Sequence, residues 1–216
     1  MMEPTRRVGL LDTPEFRVEM RGENGNAGPT LFGYAVVFNS RAHMGGYDEI
    51  VKPGAFTEVL ATNPDVSARV QHAGGITTIG RTANGTLRIE QDTKGLHYEV
   101  DLPNTTAGRD IAELVRRGDI NKSSFAFDLD DDSWHWEKGE PMLFVITRVS
   151  QLYDVAPVDG PAYDATSVSL RSASEKQLEK YPIPTDLITI PSKTIRERID
   201  EVNAALQVNR EDFARK

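Results

Sequence analysis

The apolar residues of this chain come in short runs at strand spacing, separated by turn signals. That rhythm limits the fold more than any other feature. Residues 16–20 alternate apolar and polar, as a half-buried strand does. Residues 31–38, LFGYAVVF, are β-branched and aromatic and read as a central strand. After a loop over 39–46, further strands are expected at 67–72, 86–91, 96–101, 120–127, 134–137 and 142–155, with a last one at 168–170. The run Asp92-Thr93-Lys94-Gly95 joins two of them as a hairpin turn. In the second strand of that hairpin Leu96, Tyr98 and Val100 share one face, and His97 and Glu99 share the other.

Only two stretches of this body have helical spacing. One starts at Pro53 in PGAFTEVLA, with Phe56, Val59 and Leu60 toward the core. The other is capped by Asn104 or Thr105 and runs to about Arg117, with Ala107, Ile111, Leu114 and Val115 as its apolar stripe. Arg116 and Arg117 suit the negative end of its dipole, and Gly118 ends it. The fold class is therefore mainly β with flanking helices, an α+β chain expected to form a closed or nearly closed antiparallel β-barrel.

The chain has 216 residues, and its composition changes once along them. Residues 172–216 hold equal numbers of basic and acidic side chains, so the whole net charge of −8 sits in residues 1–171. Residues 1–13 read as a flexible N-terminus, and 14–171 as the folded domain. Pro182, Pro184 and Pro191 mark 172–194 as a Pro-rich linker, extended rather than packed. In 195–216, Ile195, Ile199, Val202 and Leu206 form an amphipathic helix, with Ser192 or Thr194 available as its cap.

Charge and residue types exclude several functions. An acidic balance argues against a nucleic-acid binder that works through a basic face. Without cysteine there is no thiol nucleophile, disulfide framework or Cys-ligated metal. No apolar run approaches the roughly 20 residues that span a bilayer, and the N-terminus lacks a secretory pattern, so a soluble intracellular chain is expected. No phosphate-binding glycine loop, dinucleotide fingerprint or zinc-protease HExxH is present, and no cofactor or metal is expected.

A hydrolytic serine needs a base, usually histidine. Of the four histidines, His43 lies in a Gly-rich loop, His97 on a hairpin face, and His135 between two tryptophans. His72 ends a strand and leads into Ala73-Gly74-Gly75, a junction that lets another backbone come close. Ser124 shares a strand face with the small Ala126, leaving room for a peptide, while Phe125 and Phe127 face the core. A solvent-facing strand serine gives the same pattern. The acidic run Asp128, Asp130, Asp131 and Asp132 lacks the Gly and terminal Glu of an EF-hand and reads as a solvated turn. Arg148 and the Gly80-Arg81-Thr82 segment are candidate partners for an anion or oxyanion.

Five segments in order resemble the prohead maturation proteases of tailed bacteriophages, the caudovirus prohead serine protease family, related to herpesvirus assemblin. They are GYAVVFNS at 33–40, YDEIVKPGAFTEVL at 47–60, VQHAGG at 70–75, the long stretch 80–127 ending in SSFAF, and LYDVAPVDGPAYDAT at 152–166. Two departures stand out: Ala126 where the family usually has Gly, and Asp159-Gly160 before Pro161-Ala162-Tyr163.

The resemblance implies an assemblin-like β-barrel and a serine endopeptidase with Ser124 as nucleophile and His72 as base. A third residue should orient His72. Asp154 is expected in that role, at the end of the strand over 142–155, and His135 is its rival because assemblins use a second histidine. The implied substrates are the scaffold or the scaffold-like region of the phage major capsid protein, and the protease itself, with the tail beyond Arg171 as one self-cleavage product. The implied setting is the phage prohead in the host cytoplasm, with a homo-oligomer such as a dimer, and no nucleic-acid or membrane partner. The alternative is a catalytically inactive protease-like assembly protein. The retention of both His72 and Ser124 speaks against it.

Overall fold

The structure, a computed structural model, describes residues 5–9, 16–20, 28–44, 47–72, 77–159, 180–184 and 187. In chain order its strands are β1 (Thr5–Gly9), β2 (Arg17–Met20), β3 (Pro29–Val37), β4 (Ala42–His43), β5 (Tyr47–Val51), β6 (Ser67–Arg69), β7 (Thr78–Arg81), β8 (Leu87–Gln91), β9 (Gly95–Asp101), β10 (Lys122–Asp128), β11 (Trp134–Glu137), β12 (Met142–Ile146) and β13 (Gln151–Val158). The helices are α1 (Thr57–Ala61) and α2 (Thr106–Arg117).

The strands form three sheets, in the orders β1-β10-β13-β6-β7, β11-β12-β5-β4 and β2-β3-β9-β8. The mainly β expectation holds. The wholly antiparallel one does not, because β12 runs parallel to β5 and β13 parallel to β6. No closed ring of strand pairings joins the described residues.

Several local expectations follow their chemistry. The hairpin turn between β8 and β9 is held by Asp92, whose Oδ1 accepts from the amides of Lys94 and Gly95 at 2.7 and 2.8 Å. Thr105 caps α2 by accepting from the Gly108 amide at 3.1 Å. Gly118 ends that helix at φ 83°, a conformation that costs a side chain with a Cβ. Leu96, Tyr98 and Val100 are fully buried on one face of β9.

Four expectations are corrected. Residues 5–9, taken as loose, pair along β10 as β1. The strand over 142–155 is two strands in two sheets, β12 and β13. Between them the amides of Thr147 and Arg148 bond to the Ser133 carbonyl, Val149 to Ala55, and Ser150 to Asp128, which takes the chain off one ladder and onto another. The strand over 67–72 ends at Arg69 and gives way to a 3₁₀ turn, Val70–His72. Within the proposed linker, Tyr181 is 3% exposed and packs on Trp134 and Phe144 with ring centroids 5.0 and 5.5 Å apart, while Trp136 Nε1 donates to its carbonyl. An aromatic side chain of that size buries enough apolar area to hold the chain against the sheet. The expected strand at 168–170 and the helix over 195–216 lie outside the described residues.

The chain divides into two units, residues 1–181 and 182–216. Of the second, 182–184 and 187 are described, and there the Leu187 amide donates to the Pro184 carbonyl. In the first, the core beside β10 is aromatic. Phe125 and Phe127 stack with centroids 4.7 Å apart, and Phe56 meets Phe125 edge-on at 5.7 Å. This packing fixes one face of β10, so the opposite face, with Ser124 and Ala126, is held in a set position.

Candidate active site

Three neighbouring strands of one sheet, β10, β13 and β6, supply the site. Ladder register places Ser124 opposite Ala156 and Ala126 opposite Asp154. Residues directly opposite in a ladder share a face, so Ser124, Ala126, Asp154 and Ala156 lie on one face. Two alanines there leave space for an imidazole between the serine and the carboxylate. The register shifts after Ala126, since Phe127 pairs with Leu152, and Tyr153 is the extra residue of a β-bulge. The bulge lets Asp154 share the Ser124 face while Leu152 stays buried in the core.

His72 fills that space. Its Nδ1 lies 2.5 Å from Asp154 Oδ1, and its Nε2 is in contact with Ser124 Oγ. With the ring proton on Nδ1, that N–H donates to the carboxylate and Nε2 accepts from the serine hydroxyl. Both ring nitrogens are thereby engaged. The backbone that delivers the ring is strained. Gln71 and His72 have φ of 54° and 56°, in the left-handed region that non-glycine residues avoid. Each such residue costs on the order of 1–3 kcal/mol, and strain of this kind gathers where a side chain must be aimed.

The site is dry. Ser124 is 0% exposed and Asp154 2%. Arg69, at the end of β6, brings Nη1 to 3.9 Å from Asp154 Oδ2, so a positive charge stands behind the carboxylate. Its Nε is buried and without a hydrogen-bond partner. Below the sheet, Tyr98 and Ser123 share a buried hydrogen bond of 2.8 Å, tying β10 to β9. Burial pushes the Tyr98 phenol up, and the bond to Ser123 only partly offsets it. At the far end of β10, the Tyr153 hydroxyl is pushed up to about 12 by its hydrogen bond to Asp128 and by burial.

The other sequence candidates lie elsewhere. His135 is exposed on β11, in a different sheet, with Nε2 3.2 Å from Glu137 Oε1. His43 is exposed beside Asp48, and His97 packs on Tyr34. The Arg148 guanidinium is committed to Asp132, Glu58 and Asp130, which also accounts for part of the acidic turn. The Arg81 side chain is held by Asp65, and its amide donates to Thr86 Oγ1 at 2.9 Å. Both arginine side chains are thus paired with carboxylates. Sequence reasoning missed Arg69 and the strained Gln71-His72 pair, because neither residue type announces its backbone or its neighbours.

Comparison with solved structures finds a likeness to the capsid assembly protease gp21 of bacteriophage T4. The TM-score is 0.51 at 8% identity, covering 74% of this chain and 98% of that one. At such identity the likeness speaks for the fold. Comparison with curated proteins returns no match. The family model for the caudovirus prohead serine protease matches residues 16–182, which include Ser124, His72 and Asp154. That match spans most of the chain, and the protein belongs to the caudovirus prohead serine protease family.

Proposed function

We propose that this chain is a serine endopeptidase that cleaves capsid-assembly polypeptides inside the immature phage head, with Ser124, His72 and Asp154 as its catalytic residues. The observation that carries the reading is the unbroken run of contacts from Ser124 Oγ through the His72 ring to the Asp154 carboxylate. This is the order in which a hydroxyl is activated by a base and the base by an orienting acid.

In the acylation step Ser124 Oγ forms a bond to the scissile carbonyl carbon and its proton passes to His72 Nε2. Collapse of the tetrahedral intermediate breaks the C–N bond, and the same proton goes to the leaving amine. Water then attacks the acyl-enzyme with His72 again as base, releasing the acid and restoring Ser124. Asp154 fixes the imidazole and balances its transient charge, and Arg69 stands behind it at 3.9 Å.

The proposed substrates are the scaffold or the scaffold-like region of the major capsid protein, and the protease's own tail. An assemblin-type barrel and a homo-oligomer belong to the same reading. A fluorophosphonate reagent tests the chemistry. One adduct is expected, on the peptide containing Ser124, and none in His72→Ala. An adduct on another serine, or the same labelling in His72→Ala, would contradict the assignment.

A further inference from the structure

The sheet that carries the site ends, beyond Ser124, on a strand from outside the family match. Without β1, β10 would be the edge of the order β10-β13-β6-β7, with a row of backbone N–H and C=O groups turned outward. β1 covers that edge as an antiparallel partner, with Val8 opposite Ser124 and Arg7 opposite Phe125. The family match begins at residue 16, so β1 lies outside the matched residues. Ser124 is fully buried, and no polypeptide reaches its Oγ unless part of the chain gives way.

We propose that the outer edge of β10 is a binding site for an extended polypeptide, and that Thr5–Gly9 occupies it in cis and holds the enzyme closed until a substrate strand takes its place. This rests on the reading of Ser124 as nucleophile. Pairing along a sheet edge is made by main-chain groups, so one extended segment can replace another with little regard to sequence. An edge strand of only five residues opens at low cost. Its tether gives it an effective concentration of about millimolar, enough to exclude a dilute polypeptide and to yield to a concentrated one.

The test uses the full chain, the double variant Arg7→Pro/Val8→Pro, and a fluorophosphonate probe. Successive strand amides point to opposite edges, so one of the two prolines removes a donor that faces β10. The variant is expected to label at Ser124 about tenfold faster, as when a competent state held to roughly a tenth of the population is released. Amides of residues 122–128 should lose exchange protection, and a synthetic peptide of the Thr5–Gly9 sequence should reverse both effects. A second variant carries a site for an unrelated endoprotease within residues 10–15, so that cutting after folding and then diluting frees β1 without a substitution in it. The same rate rise is expected there. Unchanged labelling and exchange in either variant overturn the proposal, as does slower labelling with an unaltered melting curve, which would make β1 a builder of the site. If Ser124 takes no reagent in any form, the nucleophile reading fails. The exchange experiment with the peptide then decides separately whether the edge is a binding site.

Discussion

Ala126 lies directly across the β10–β13 ladder from Asp154, and the register shifts immediately after that pair. The small side chain beside the carboxylate is what keeps room for the His72 ring on this face. Ala126 is 0% exposed, so added methyl groups have nowhere to go. Ala126→Val should cost about 1–3 kcal/mol of stability by overpacking. It should also lower kcat more than it raises KM, because the carboxylate and ring are displaced while the outer edge of β10 is untouched. Ala126→Gly should retain activity. Steady-state kinetics and thermal melts of both variants check this.

Asp154→Asn keeps the shape of the side chain but turns an acceptor into a group that can donate to His72 Nδ1. The ring proton is then driven to Nε2, where it faces Ser124 and blocks acceptance. The expected loss in kcat is about 10³–10⁴-fold, with KM little changed. His135→Ala, on another sheet, should leave both constants within about twofold, the size of change expected of an exposed residue without a part in the reaction. A large loss in His135→Ala with little in Asp154→Asn would reverse the choice of third residue.

The buried Tyr98–Ser123 bond locks the underside of β10. Tyr98→Phe removes one hydroxyl of the pair and leaves that of Ser123, 2% exposed, to be satisfied elsewhere. The expected destabilisation is about 1–3 kcal/mol, and Ser123→Ala combined with it should add less than the sum of the single effects. Chemical denaturation of the two single variants and the double variant measures this coupling.

Asp48 predicts a pH effect remote from the site. Burial pushes its carboxyl up, but hydrogen bonds from His43 and Arg41, at 2.9 and 3.0 Å, outweigh that and hold it below its ordinary value. A carboxylate lowered on folding stabilises fully above its unfolded pKa of about 4, and that contribution fades as pH falls through the folded value. Asp48→Asn should therefore be less stable than wild type by about 1 kcal/mol at pH 7, a modest figure because both partners are largely exposed. The gap should narrow as pH drops from about 5 to 2. Melting curves across that range decide it, and a constant gap would remove Asp48 from the account.

Turn and cap chemistry was legible in the sequence because it acts locally. Asp92 and Gly95 fix a hairpin, Thr105 starts a helix, and Gly118 stops it. The shared face of Ser124 and Ala126 was legible from strand alternation, although burial on both faces of β10 was not. β5 was missed because all five of its residues are buried, which leaves no alternation to read. β1 was missed because it joins by main-chain pairing, which side chains do not encode. The break between β12 and β13 depends on carbonyls of Ser133, Ala55 and Asp128, each distant in sequence from the amide it receives.

Among four histidines, residue type alone left His72 undistinguished. Its left-handed backbone and its two ring partners come from strands that meet only in the folded chain. The ordered motifs of the family resemblance carried the choice of His72 and Ser124 where periodicity could not. Arg148 looked available as a lone cation, but Glu58, Asp130 and Asp132 surround it in the folded protein.

The most direct measurement is co-expression with the major capsid protein and scaffold of the same phage, wild type beside Ser124→Ala, with the intact mass of every product. The account predicts trimmed capsid or scaffold chains, and a shortened protease, with wild type only. Identical uncut masses in both samples while heads still assemble would point to a protein that acts in assembly without cleaving. Identical cuts in both would show that Ser124 is not the nucleophile.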